Sequence, residues 1–204
     1  MSPPDSAVFA IDQAGWCVHA SRLPSPNADA RPQPDDISLL VIHNISLPPN
    51  QFGGPYIADL FANCLDCAAH PYFDQLRDLH VSAHFLIRRD GSLLQFVSTL
   101  DRAWHAGMSH FGGRERCNDF SIGIELEGSD FTPFEPAQYD TLLALTLALQ
   151  QRHGLRDVVG HEHIAPGRKT DPGPFFDWVA YRDRLRQAEK SASIQSLMGF
   201  PFFA

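Results

Sequence analysis

The segment Ser38-Leu39-Leu40-Val41-Ile42-His43 places four aliphatic side chains in a row between a serine and a histidine. So short and so largely apolar a run reads as a strand buried on both faces, of the kind found inside an α/β sheet. Further along, Ser121 to Gly128 (SIGIELEG) alternates strictly: Ile122, Ile124 and Leu126 fall on one face, Gly123, Glu125 and Glu127 on the other. His84 to Val97 (HFLIRRDGSLLQFV) sets two apolar runs on either side of Asp90-Gly91, a dipeptide whose positive backbone dihedrals predict a tight hairpin turn. A short strand is expected over 156–160, again running into histidines. Helices are expected over 56–61, 73–79, 135–151 and 176–189; in the third, Pro136 suits the first turn and Leu142, Leu143, Leu145, Leu147 and Leu149 stand at spacings that suit a buried helix. Elements in this order predict an α/β fold, a single domain with a central mixed β-sheet flanked by helices.

Length and composition agree with one domain. A chain of 204 residues suffices to bury roughly 70% of its unfolded surface, and 44% hydrophobic with 20% charged residues is a globular balance. Residues 1–37, rich in Pro, Ser, Asp and Asn, read as a leader packed over a domain that spans 38–189; residues 190–204 read as a tail that docks on the body or stays disordered. The net charge of -8 is spread without a basic stripe, which argues against a nucleic-acid partner. No segment reaches the ~18 apolar residues of a membrane span, and the opening MSPPDSAVFAIDQAG lacks the basic start and apolar run of a secretory signal. The expectation is a cytoplasmic monomer with no membrane contact and free thiols at Cys17, Cys64, Cys67 and Cys117. Cys64 and Cys67 have CxxC spacing, but a structural zinc site wants a second such pair, and Cys17 and Cys117 stand apart.

The densest chemistry lies in VVGHEHIAPGRKTDPGP, Val158 to Pro174, which gathers His161, Glu162, His163, Lys169 and Asp171 in a loop stiffened by prolines. Imidazole nitrogens and carboxylate oxygens are zinc donors, and a catalytic zinc keeps three protein ligands and one open position. A single histidine at a strand end is more often an ordinary hydrogen-bonded residue. Here position favours the metal reading: His43 and His161 both end expected strands, so parallel neighbours bring them to one sheet edge, and Asp171 closes the triangle from the loop. Such a site needs a base to accept a proton from water and a positive group to meet charge developing on the attacked carbonyl oxygen. Glu125 suits the first role and Lys169 the second, although Glu127 has the same facing as Glu125 and pattern alone does not choose between them. By spacing alone, a solvated edge-strand carboxylate and a surface lysine are the commoner meanings. A thiol hydrolase built on Cys117 has no base placed beside it, and GxSxG, P-loop and GxGxxG motifs are missing.

LLVIHNISLPP, FGGPYI, VSAHFLIRRDGSLLQFV, RAWHAG, GRERCNDFSIGIELEG and GHEHIAPGRKTDPGPFFDW together resemble the AmpD-type cytoplasmic 1,6-anhydro-N-acetylmuramyl-L-alanine amidases of cell-wall recycling, from about Gly15 to Arg184. A more distant likeness extends to phage lysozyme-amidases and peptidoglycan recognition proteins. The resemblance implies one zinc ion (Zn2+) held by His43, His161 and Asp171, with Glu125 and Lys169 as the catalytic pair and His163 as a bystander. It implies an anhydro-muropeptide substrate lined by Asn44, Trp104 and Arg116, the last pairing with a stem-peptide carboxylate, and a link to control of β-lactamase through muropeptide levels. The chain departs from the pattern at His80, where related sequences carry an arginine; an imidazole answers a carboxylate less strongly than a guanidinium. Two rivals follow from the same residues: a muropeptide-binding module without catalysis, which an intact zinc triad argues against, and a zinc hydratase or lyase, in which the peptide-groove blocks have no purpose.

Overall fold

Leu39–Ile45 forms a strand whose first five residues are buried, as its apolar run requires. The computed structural model describes residues 9–192, 194 and 198–203; the remainder of the expected leader and tail lies outside them. The strands are β1 (Ser21–Arg22), β2 (Ala28–Ala30), β3 (Leu39–Ile45), β4 (Phe85–Ile87), β5 (Leu93–Gln95), β6 (Asp101–Ala103), β7 (His110–Phe111), β8 (Arg114–Glu115), β9 (Ser121–Glu127) and β10 (Asp157–Gly160). The helices are α1 (Tyr56–Phe61), α2 (Pro136–His153), α3 (His161–Ile164) and α4 (Trp178–Ser191). Six strands make one mixed sheet in the order β1-β5-β4-β9-β3-β10. The neighbours β4, β9, β3 and β10 run parallel, β5 runs antiparallel to β4, and β1 runs parallel to β5. The α/β architecture with a mixed sheet flanked by helices is therefore the observed one.

The alternation in β9 is real, but both of its faces are buried because the strand is interior to the sheet. Ile122, Ile124 and Leu126 join Leu40 and Ile42 of β3 against Leu142, Leu145 and Leu149 of α2 and Tyr181 and Leu185 of α4. On the reverse face, Leu39, Val41 and Val159 pack with Cys117, Phe120 and Ile164. Pro136 opens α2, the Gln138 side chain accepts from the Glu135 N–H at 3.0 Å, and Gly154, at φ 66°, ends the helix in the left-handed conformation.

Three expectations need correction. At the hairpin only Gly91 has positive φ, 83°; the Gly91 N–H donates to Arg88 O and the Arg88 N–H to Ser92 O, so Arg89 and Asp90 turn first and Gly91 takes the left-handed bulge position of a longer loop. The expected helix over 73–79 is a 3-10 turn, Pro71–Leu76, in which the buried Phe73 anchors a segment too short to propagate. The leader is not only a surface wrap: β1 extends the sheet, Cys17 enters the main core, and Asn27 and Arg31 are buried with their side chains bonded to backbone carbonyls. Polar residues held by main-chain groups leave no apolar period to read. The described part of the tail docks: Val158 N donates to Gly199 O at 3.0 Å on the free side of β10, and Met198 and Phe200 are buried.

Glu127 shows what the interior of the sheet asks of a carboxylate. It is 2% exposed and accepts from Gly53 N at 2.7 Å, Arg88 Nη1 at 3.0 Å and Arg89 N at 3.2 Å. Glu127→Ala strands a guanidinium and two N–H groups, and about 3 kcal/mol of stability is expected to go with it. Urea unfolding measures this, and a loss under about 1 kcal/mol contradicts the assignment.

Candidate metal centre and active site

Parallel register assembles the site. β3 and β9 pair Val41 with Gly123, His43 with Glu125 and Ile45 with Glu127, while β3 and β10 pair Ile42 with Gly160. The next residue of the chain, His161, thus comes level with His43 at the carboxyl ends of the strands, where open α/β sheets build their sites. Neither histidine ends its strand as the sequence implied: β3 continues to Ile45, and His161 opens α3. Asp171 arrives from the following loop, held by the Glu162 N–H donating to Asp171 O at 2.9 Å. His43 Nδ1 lies 3.0 Å from His161 Nδ1 and 2.9 Å from Asp171 Oδ2, and His161 Nδ1 lies 3.1 Å from Asp171 Oδ2. Among the described residues, His43, His161 and Asp171 form the one group of this kind able to hold a metal ion.

The opposite edge of His161 decides what its Nδ1 offers. His161 Nε2 sits 3.1 Å from Ala106 O, which only accepts, so Nε2 carries the hydrogen and Nδ1 presents a lone pair. Two imidazoles and a carboxylate with lone pairs converging on one point fit zinc. Burial lowers the pKa of His43 to about 4, with His161 adding to the effect and Asp171 opposing it. For Asp171, burial pushes upward, but the His161 and His43 side chains beside it outweigh burial and hold the carboxyl below the usual carboxylate range. Glu125 goes the other way: burial first, then Asp171, raises it well above the ordinary value while Lys169 opposes. Its buried Oε2 has no hydrogen-bond partner, whereas the carboxylate of Glu127 is fully engaged. Two carboxylates with the same facing thus have different environments, the usual mark of different tasks.

A groove of about 730 Å³ opens over the triad, lined among others by Glu125, Trp104, His80 and, on its exposed rim, Lys169. Asn44 also lines it, but its amide donates to Asp130 Oδ1 at 2.7 Å and Pro172 O at 3.0 Å, tethering the loop beside Asp171. Arg116 does not enter this groove. Its backbone is left-handed, φ 59°, and its exposed side chain lies 3.4 Å from Asp119 in a neighbouring depression. Arg168 borders both spaces and donates to Ala106 O and Met108 O. His163 turns away, accepting from Gly160 N at 2.8 Å and stacking on Phe202. The four cysteines are free thiols, with Cys17 and Cys117 buried. Sequence reasoning gave no role to Glu162, which burial and then Asp171 and Asp130 push up to about 7, or to His105. The one trace of His105 in the sequence is Gly123, where a Cβ would stand 2.5 Å from the His105 ring.

A mixed sheet that presents a His/His/Asp donor set beside a buried carboxylate lacking a partner has the layout of a metal-assisted hydrolase. The chain belongs to the N-acetylmuramoyl-L-alanine amidase family, whose profile matches residues 33–174. It is 56% identical over 170 residues to the 1,6-anhydro-N-acetylmuramyl-L-alanine amidase AmpD of Citrobacter freundii, covering 82% of this chain and 91% of that one. To the AmpD of Escherichia coli it is 55% identical over 172 residues, covering 83% and 94%. Its fold is similar to the crystal structure of a selenomethionine derivative of AmpD, with a TM-score of 0.80, 55% identity, and 83% of this chain and 96% of that one covered. It also resembles E. coli AmiD in complex with the substrate anhydro-N-acetylmuramic acid-L-Ala-D-gamma-Glu-L-Lys, with a TM-score of 0.54, 30% identity, and 88% and 65% covered. Among the described residues no helix is long and apolar enough to cross a membrane.

The contrast between the two glutamates yields a sign test. Glu125→Gln removes a charge that burial disfavours and that has no partner on Oε2. The variant is expected to match or exceed the parent in stability, by up to about 1 kcal/mol at pH 8. A loss of more than about 2 kcal/mol in urea unfolding contradicts the picture of a partnerless carboxylate.

Proposed function

We propose that this protein hydrolyses the amide between the lactyl carbonyl of 1,6-anhydro-N-acetylmuramic acid and the L-alanine of the stem peptide, as a cytoplasmic monomer in peptidoglycan recycling. The single observation that carries the reading is the buried Glu125 carboxyl, raised in pKa and without a partner on Oε2, level in register with His43 of the donor triad. The reaction and substrate are supported by relatives more than half identical that are named for it and by the AmiD complex with an anhydro-muropeptide. A monomer agrees with a triad drawn wholly from one chain, and the cytoplasm with four free thiols.

His43, His161 and Asp171 are the residues to hold one zinc ion. When bound there, zinc supplies a Lewis acid that makes water nucleophilic near neutral pH and polarises a carbonyl. Glu125 accepts the proton of the attacking water and returns it to the leaving alanine amine, a task suited to a carboxyl whose pKa burial raises above the ordinary carboxylate value. Lys169, on the groove rim, meets the negative charge that develops on the lactyl oxygen. Trp104 and Asn44 line the groove for the muropeptide. Arg116, exposed in the adjoining depression, is assigned to a stem-peptide carboxylate, with His80 on the groove wall as a weaker second contact.

Release of free stem peptide from an anhydro-muramyl tripeptide tests the reading. Release is expected from the parent, lost on chelation and restored by zinc. Lys169→Ala should lower kcat by roughly 10²-fold with a smaller change in KM, because the charge it answers exists mainly in the transition state. Glu125→Ala should lower kcat by at least about 10²-fold. Tight binding of the tripeptide by the zinc-loaded parent with no release overturns the amidase reading in favour of a binding module.

A further inference from the structure

We propose that His105 is a positioning residue which fixes the orientation of His43 toward the metal, and that one short turn of chain, His105–Ala106, holds both histidine ligands from behind. His43 Nε2 lies 3.0 Å from His105 Nδ1, the two rings standing edge to face at 89°, and His105 Nε2 lies 3.2 Å from Ser121 Oγ. When His43 Nδ1 gives its lone pair to a cation, its Nε2 carries the hydrogen and donates to His105 Nδ1; the Nε2–H of His105 then donates to Ser121 Oγ. The next residue, Ala106, supplies the carbonyl 3.1 Å from His161 Nε2. A single side chain pins this turn: Asn118 Oδ1 accepts from the His105 N–H at 3.2 Å and the Ala106 N–H at 2.8 Å. Arg168 Nη2 donates to Ala106 O at 2.9 Å and steadies the same carbonyl.

The backbone of β9 is cut to admit the device. Gly123 lies beside Val41 in the sheet, and a Cβ on it would stand 2.5 Å from His105 Cγ and Nδ1, so the imidazole rests directly on the strand. Groups that hydrogen-bond the far nitrogen of a metal-bound histidine set its tautomer and ring orientation, and their loss weakens the metal.

The inference rests on the metal-site reading above, and its test is zinc affinity rather than turnover. Zinc dissociation constants from competition with a chromophoric chelator are compared for the parent and three variants. His105→Phe keeps a ring over Gly123 but removes the acceptor, and is expected to bind zinc about 10- to 100-fold more weakly. His105→Asn places an amide oxygen near the position of Nδ1 and should recover most of that loss. Asn118→Ala frees the turn and should weaken binding by about 10-fold. The ¹⁵N shifts of His43 in the zinc-loaded protein should report hydrogen on Nε2 in the parent and a mixture of states in His105→Phe. A folded His105→Phe that binds zinc within about 2-fold of the parent overturns the inference. Should that variant fail to unfold cooperatively, an unchanged affinity in Asn118→Ala overturns it instead. A parent that binds no zinc overturns the metal site itself, a result distinguishable from the others.

Discussion

Three atoms able to offer a lone pair lie within 3.1 Å of one another at the heart of this protein: His43 Nδ1, His161 Nδ1 and Asp171 Oδ2. Such a cluster is unfavourable unless a positive centre or a shared proton lies among them, and burial disfavours charge on His43. Asn44 ties the Asp171 loop to Asp130, and the backbone of Asp171 holds Glu162. A bound cation would satisfy all three donors at once, which is why the chemistry of the site follows from its donor set.

Register is the means by which the chain reaches that cluster. Because β3, β9 and β10 run parallel, a fixed offset along each strand becomes proximity at one edge, and His43, Glu125 and His161 arrive there together. A one-residue slip of β9 would turn Glu125 into the apolar layer against α2 and bring an isoleucine or leucine to the site. The apolar face of Ile122, Ile124 and Leu126 against α2 and α4 opposes such a slip. Core packing and catalytic geometry are in this sense one constraint.

That dependence also explains what was legible in the sequence. The strand at Leu39 to Ile42, the alternation of SIGIELEG and the histidines beyond 156–160 carry the fold class and the triad, since each is a local pattern whose partner is set by parallel pairing. The choice between Glu125 and Glu127 is not local: it turns on Arg88, Arg89 and Gly53 filling one carboxylate and nothing filling Oε2 of the other. His105 is hidden for the same reason, since its contact with His43 joins segments far apart in the chain and leaves only a glycine in a strand as its sign. Arg116 illustrates a backbone effect, as a left-handed residue at its position directs the side chain to the adjoining depression. The leader and tail were obscure because buried polar groups and isolated aromatics, such as Asn27, Arg31 and Phe200, carry no period.

The most direct test of the central claim is anomalous scattering from crystals of the zinc-loaded protein, recorded on both sides of the zinc absorption edge. The account predicts one strong peak bounded by His43 Nδ1, His161 Nδ1 and Asp171 Oδ2, within bonding distance of all three. A zinc peak at Cys64 and Cys67, or no peak within reach of the triad, contradicts it.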